Sequence, residues 1–177
     1  NELNNNPNQK QKATIYSDLT WYYSNISIDS ALVYGKKALN ESIKLKDSTL
    51  LSQVYSDMGV VYSRKGDINA SKNSYLKSLE IRTATNDVVG IAKAKANLAN
   101  VYNKLGDKTK ALKTYLETID FFEKNNKQDI VAMTKANVGS LFNELKNYPK
   151  AFKYTKEAIT YQEKNNLYDG LCNSYLT

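Results

Sequence analysis

Apolar and small side chains recur at three- and four-residue steps over successive stretches of the chain. This spacing keeps one face of a helix buried. The stretches alternate between two kinds. The first, helix A, is expected over residues 10–24, 50–64, 89–105 and 129–145. The second, helix B, is expected over 28–45, 68–84, 108–125 and 148–165. In the third pair, Leu98, Val101, Tyr102 and Leu105 fall along one side of helix A. Ala111, Tyr115, Ile119 and Phe122 fall along one side of helix B. The breaks between stretches carry turn chemistry. Gly66-Asp67 and Gly106-Asp107 join A to B: glycine suits the left-handed position after a helix, and aspartate caps the next one. Lys146-Asn147 before Tyr148-Pro149 does the same, with proline in the first helical turn. Ser27 or Asp29 is the corresponding cap in the first pair. Asn86-Asp87, Asn125-Asn126 and Asn165-Asn166 mark the turns from B to A.

Laid on itself with a shift of 40 residues, the chain repeats. An aromatic column reads Tyr22, Tyr62, Tyr102, Phe142. Small-residue columns read Ala31, Ser71, Ala111, Ala151; Ala38, Ser78, Thr118, Ala158; and Ser52, Ala92, Ala132, Cys172. A branched aliphatic follows the second of these: Leu39, Leu79, Ile119, Ile159. Small columns let neighbouring helices approach, large ones fill the space between layers, and stability comes from stacking, since no unit can bury its face alone. The units are expected at about 10–48, 49–88, 89–128 and 129–167. A polar arm over 1–9 precedes them. A truncated fifth helix over 168–177 follows, with Leu171, Cys172, Tyr175 and Leu176 at its apolar positions. This restart of helix A implies an array that continues past Thr177.

Composition narrows the chemistry. The 177 residues include no histidine and one cysteine. Ser-His-Asp and Cys-His nucleophile systems, Cys/His zinc sites and intrachain disulfides are therefore excluded. Carboxylates such as Glu41 and Asp47 lie at turns or exposed positions, and no phosphate-cradling glycine loop is present. The chain is read as non-catalytic, with no cofactor and no metal. The net charge is +7. The lysines of the third unit (Lys93, Lys95, Lys104, Lys108, Lys110, Lys113) fall on both helices rather than on one stripe, so nucleic acid is not expected as a partner. No apolar run approaches the roughly 20 residues of a bilayer span, and no membrane contact is expected of this segment. The chain starts at Asn1 rather than methionine, as a processed or excised form would.

The columns resemble the tetratricopeptide repeat (TPR). That motif carries a Leu-Gly or Leu-Ala pair, a tyrosine three residues on, a Gly-Asp or Gly-Asn turn, then alanine, an aromatic and another alanine. The second unit reads Met58-Gly59, Tyr62, Gly66-Asp67, Ser71, Tyr75, Ser78. The third reads Leu98-Ala99, Tyr102, Gly106-Asp107, Ala111, Tyr115, Thr118. The fourth reads Val138-Gly139, Phe142, Asn147-Tyr148, Ala151, Ala158. The first diverges, with Asp18-Leu19 and Ile26-Ser27 at the motif positions, as capping repeats do. The period is 40 residues where the family's usual one is 34. Long repeats of this kind are similar to those of bacterial histidine-kinase sensor regions, of regulators joined to DNA-binding domains, of peptide-responsive regulators and of kinesin light chains. The resemblance implies an all-α, right-handed superhelical array of antiparallel helix pairs, a TPR-like solenoid, whose A helices line a concave groove. It also implies a sensor or scaffold region in a larger bacterial protein, with an extracytoplasmic setting favoured over a cytoplasmic one. The expected partner is a protein or peptide; self-association into a homodimer is the alternative.

Register places Tyr16, Thr20 and Tyr23 of the first unit in that groove, with Gln53, Ser56, Val60 and Ser63 of the second. Lys93, Ala96, Asn100 and Asn103 follow from the third, and Met133, Ala136, Ser140 and Asn143 from the fourth. This surface is polar and mostly neutral. Its amides can pair with a peptide backbone, and its small residues leave room for a partner. It lacks the several basic side chains that clamp a C-terminal carboxylate in chaperone-binding TPR domains. Tyr22, Tyr62, Tyr75, Tyr102 and Tyr115 belong to packing columns and are expected in the core. Tyr16 and Tyr23 lie outside them and are the aromatic candidates for a ligand.

Overall fold

The computed structural model describes residues 8–167. They form α1 (Gln9–Tyr23), α2 (Ile28–Leu45), α3 (Ser48–Lys65), α4 (Ile68–Ala84), α5 (Val88–Lys104), α6 (Lys108–Lys124), α7 (Gln128–Glu144) and α8 (Tyr148–Lys164). No strand occurs among the described residues. Each helix lies within two residues of its predicted bounds. Asn8 and Gln9, read above as part of the polar arm, instead start α1: the Asn8 side chain accepts from Gln11 N–H while Gln11 caps Asn8 in return. The expected fifth helix over 168–177, including Cys172, lies outside the described residues. The chain divides into two compact units, Asn1–Asn97 and Leu98–Thr177, the boundary falling inside α5.

Turn chemistry sets this architecture. Positive φ occurs at Lys46, Gly66, Asn86, Gly106, Asn126, Lys146 and Asn166, one residue in every 20. At each, the helix ends in a left-handed residue. From Gly66 onward, the next N–H reaches back to a carbonyl of the last turn, as Asp67 does to Tyr62 and Asp87 to Arg82, both within 3.0 Å. The residue that donates this bond then begins the next helix. Asp47, Asp67, Asp87, Asp107 and Asn147 each accept, through the side chain, an N–H three positions on. Only two of the seven left-handed positions carry glycine. Asparagine tolerates the conformation, but Lys46 and Lys146 carry a Cβ in it, at a cost of roughly 1 kcal/mol each.

In the first unit, α1 pairs with α2 and α3 with α4, and α3 also packs on α1 and α2. Ala38, Val54 and Met58 are buried at that junction, with Tyr16, Leu32, Leu39, Leu50 and Tyr62 around them. Within the second pair, Gly59 lets the Tyr75 ring approach so closely that a Cβ there would lie 2.7 Å from it.

A buried polar chain crosses the same unit. Ser17 Oγ of α1 donates to Asp57 Oδ2 of α3 at 2.9 Å, and Gln53 Nε2 donates to Asp57 Oδ1 at 2.9 Å. Arg82 of α4 donates to Gln53 Oε1, Ser78 Oγ and Asp87 Oδ2. Asp57 is thus held by two neutral donors, with Arg82 one residue removed. Burial pushes its carboxyl up to about 6, against the two hydrogen bonds, and the Asp18 charge adds to the rise.

In the second unit, α7 pairs with α8 and α6 packs on α7. Tyr115, Phe122, Val138 and Leu141 are buried, as are the small-column residues Ala111, Thr118, Ala151 and Ala158. Two expectations fail here and in the first unit. Tyr22, assigned to the core, is 60% exposed, whereas Tyr62 and Tyr102 are half-buried and Phe142 is buried. The column lies at the edge of each helix pair. Lys110 covers the Tyr102 ring at 4.3 Å and Lys150 covers Phe142 at 5.3 Å; Ser30 and Ala70 stand at that position in the first two repeats, so this cover does not account for the difference between Tyr22 and half-buried Tyr62. Leu105, placed on the buried side of α5, sits in the turn and is exposed.

Two predictions follow from the turns and the polar chain. Lys146→Gly should raise stability by about 0.5–1 kcal/mol in urea denaturation, and Gly106→Ala should lower it by about 1 kcal/mol; effects of the same sign would refute the strain assignment. A carboxyl whose folded pKa is raised favours folding while protonated, and that advantage is lost as pH rises from about 4 through about 6. Asp57→Asn, matching Asn97 and Asn137 of the same column, should therefore gain on the parent by on the order of 2–3 kcal/mol between pH 4 and pH 8. A pH-independent difference between the two proteins would rule out Asp57 as the titrating group.

Candidate functional site

The structure commits several of the predicted groove positions to internal bonds. In the first unit Thr20 is fully buried, and its hydroxyl donates to the Tyr16 carbonyl at 2.7 Å. It cannot meet a partner, which corrects its placement in the groove: α2 covers that part of the α1 face, with the Thr20 methyl against Gly35. Tyr16 and Tyr23 are half-buried and flank Tyr34, with centroids at 6.2 and 5.3 Å, and Lys37 lies over the Tyr16 and Tyr34 rings. Gln53 is exposed, but both ends of its amide belong to the Asp57–Arg82 chain. Ser56 shares a 2.8 Å hydrogen bond with Ser78. Ser63 and Val60 are half-buried, and Lys93 is exposed.

A cleft of about 480 Å³ opens beside this network, lined by Lys10, Thr14, Asp47, Gln53, Arg82 and Asp87. Its charges are already paired, Lys10 to Asp47 at 2.9 Å and Arg82 to Asp87 at 3.0 Å. The Leu50 N–H and Lys10 together hold Asp47 below its ordinary value. The cleft has a neutral, self-satisfied wall.

In the second unit Asn100 is exposed but accepts the hydroxyl proton of buried Tyr115. Asn103 donates to Glu144 at 3.1 Å, and its own Oδ1 is buried. Lys108 holds the same Glu144 at 2.9 Å, lowering its pKa. On α7 the register holds better. Met133 is 58% exposed although its neighbours Ala132 and Thr134 are buried, Ser140 is half-buried and Asn143 is exposed on the same side; Ala136 between them is buried.

Sequence reasoning missed a second feature of this unit. The opposite side of α7 and one face of α8 enclose a groove of about 670 Å³. Val131, Ala132, Phe152 and Tyr161 provide its apolar surface. Lys135, Lys153, Lys156 and Lys164 are set around it against the single carboxylate of Glu157. Lys135 bridges Glu157 at 2.9 Å and Glu123 at 3.4 Å. Desolvation opposes its charge, but the two carboxylates outweigh this and raise its pKa. The signal was present at Phe152, which replaces the aliphatic or lysine of Leu32, Lys72 and Leu112. None of these surfaces, among the described residues, places a nucleophile beside a base. No described helix is long and apolar enough to cross a membrane.

Comparison with known proteins identifies the fold. No curated protein sequence matches the chain. Among solved structures it resembles a signal transduction ATPase with numerous domains and a tetratricopeptide repeat sensor from Pyrococcus horikoshii. There the identity is 21%, the TM-score 0.83, and the match covers 95% of this chain and 26% of that one. It resembles aspartyl phosphate phosphatase F from Bacillus subtilis at 18% identity and a TM-score of 0.81, covering 98% and 47%. It resembles the apo form of RapI at 19% identity and a TM-score of 0.76, covering 89% and 44%. The chain thus spans less than half the length of each of these proteins, and at such identities the likeness is one of fold, a TPR-like array of helix pairs. The family model described as soluble NSF attachment protein, SNAP, matches residues 25–177. By that match over most of its length, on a TPR-like helical-repeat fold, the chain belongs to the soluble NSF attachment protein (SNAP) family.

Proposed function

We propose that this chain is a non-catalytic protein- or peptide-binding module, the sensor or scaffold region of a larger signalling protein, and that it binds along the exposed face of α7. The observation that carries this reading is Met133. A large, flexible apolar side chain stands 58% exposed on a face that is otherwise polar, between two buried neighbours. Such a side chain adapts to an apolar anchor on a partner. Ser140 and Asn143, seven and ten residues on along the same face, supply polar groups for a peptide backbone. The resemblance to a TPR sensor within a signal transduction ATPase, of which this chain matches 26%, supports a module that works as part of a longer protein.

Asn100 and Asn103 are less suited to testing this. Removing Asn100 would orphan the Tyr115 hydroxyl, costing about 1–3 kcal/mol of stability and confusing binding with folding. Met133→Glu avoids that, because the Met133 side chain is mostly exposed. A random peptide library displayed on phage and selected against the chain should yield binders whose affinity falls about tenfold or more with Met133→Glu, a loss of at least about 1.4 kcal/mol, at an unchanged melting temperature. Binders indifferent to Met133→Glu would move the site off α7, and a library that yields none would speak against the module itself.

A further inference from the structure

We propose that the joint between the first two helix pairs is a pH-sensitive clasp, which holds α1 and α2 against α3 in mild acid and releases them together more readily at neutral pH.

Two side chains of α3, seven residues apart, hold α1. Asp57 Oδ2 accepts from Ser17 Oγ at 2.9 Å, and Arg64 Nη1 donates to Ser24 Oγ at 2.6 Å. Val54 and Met58 of α3 are buried with Ala38 of α2 at the same joint. An exposed ion pair from Lys10 to Asp47 adds a third polar tie. The ties inside the second pair are more deeply buried. Ser71 donates to the Gly59 carbonyl and Ser78 to the Ser52 carbonyl, both at 2.8 Å, and Arg82 donates to Gln53. In a stack where each unit rests on its neighbours, one pair can open while the next stays folded. Lys10, Thr14 and Asp18 are exposed on the outer face of α1, so the first pair is the one placed to open.

Asp57 makes that joint sensitive to pH. Its residue is 6% exposed, and its two hydrogen bonds come from the neutral donors Ser17 and Gln53. The same column holds the uncharged amides Asn97 and Asn137 in the next two repeats. Burial disfavours the Asp57 charge most; the bonds from Ser17 and Gln53 favour it, Asp18 of α1 disfavours it, and Arg82 of α4 favours it through space. Tyr75 of α4 also faces it, with a phenol that burial holds neutral above its ordinary range. α2 meets α3 through Leu32, Gly35, Ala38 and Leu39, none of which titrates. The docked carboxyl is thereby raised from 3.8 to about 6. A raised carboxyl stabilises the docked state while protonated, and that advantage fades as pH rises through about 6. Asp47 contributes no such dependence above pH 5, because the Leu50 N–H and Lys10 hold it below its ordinary value. If undocking returns Asp57 to water, the opening equilibrium rises about tenfold between pH 5 and pH 8.

Hydrogen exchange read by mass spectrometry on the whole chain tests this, with Asp57→Asn as the variant that cannot titrate. Comparing the two proteins at one pH cancels the intrinsic pH dependence of exchange. The parent-to-variant ratio of exchange rates in α1 and α2 should be about tenfold larger at pH 8 than at pH 5. The ratio in α7 and α8 should be the same at both. Ser17→Ala removes the donor from α1, and should speed exchange in α1 and α2 more at pH 8 than at pH 5. Circular dichroism would verify that both variants fold. A ratio in α1 and α2 that does not change with pH overturns the proposal. So does an equal change throughout α1 to α4, which would assign Asp57 to the folding of the whole unit rather than to the joint. Ser17→Ala with the same effect at both pH values overturns it too.

Discussion

A left-handed residue every 20 positions fixes the length of each helix from α3 onward, and helix length decides which side chains meet. Seventeen or eighteen helical residues followed by a turn of two or three bring the chain back with the same face towards its neighbour. A turn one residue longer would rotate the next helix by about 100°, the angle per residue of a 3.6-residue turn, and move a buried alanine column into solvent. The columns of alanine, serine and threonine at the helix crossings depend on that registration. So does the approach of Tyr75 to Gly59, where no Cβ fits. The constraint is strong enough that lysine occupies the left-handed position twice, at roughly 1 kcal/mol each. That cost is small beside the burial of an entire helix face.

A second set of bonds ties α1 to α3 in the first unit and α5 to α7 in the second, each one repeat apart. Ser17 meets Asp57, and Arg64 reaches Ser24 at 2.6 Å, both at a separation of 40 residues. Asn103 meets Glu144 in the second unit at a separation of 41. Apolar packing tolerates a slide along the helix axis, whereas these bonds are satisfied at one offset only. Asp57 shows the cost of such specificity. Its charge is desolvated and raised towards pH 6, so at neutral pH it is held ionised against its environment. Both arginines of the chain serve these contacts, Arg64 to Ser24 and Arg82 to Gln53 and Asp87.

Helix positions and turn types were legible because they follow from local chemistry: periodicity within one helix, and cap residues beside Gly, Asn or Lys at the break. The first-unit and α5 groove positions were less so. A helical wheel places Thr20, Gln53 and Asn100 on one face, but it does not show that Thr20 is turned to its own backbone, that Gln53 bridges Asp57 and Arg82, or that Asn100 accepts from Tyr115. The last two are partnerships over 29 and 15 residues, set by how helices pack, and the packing of α2 on α1 is also what buries Thr20. Tyr22 misled for the same reason. Its column is covered unequally from repeat to repeat, by lysine only in the third and fourth, and a sequence column does not show that difference in burial. On α7 the wheel's positions divide: Met133 and Asn143 are exposed, Ser140 is half-buried and Ala136 is buried.

The same columns explain why interaction surface is unevenly shared between the helices. α1 carries Lys10, Thr14 and Asp18 at the positions where α3 carries Leu50, Val54 and Met58. Those three residues of α1 are exposed, whereas Val54 and Met58 are buried under it, so this face of α1 is adapted to water. α8 has the opposite composition at its corresponding boundary. Phe152 is larger than the residues it replaces and stands 69% exposed, among lysines of the kind that solvate an outer helix face.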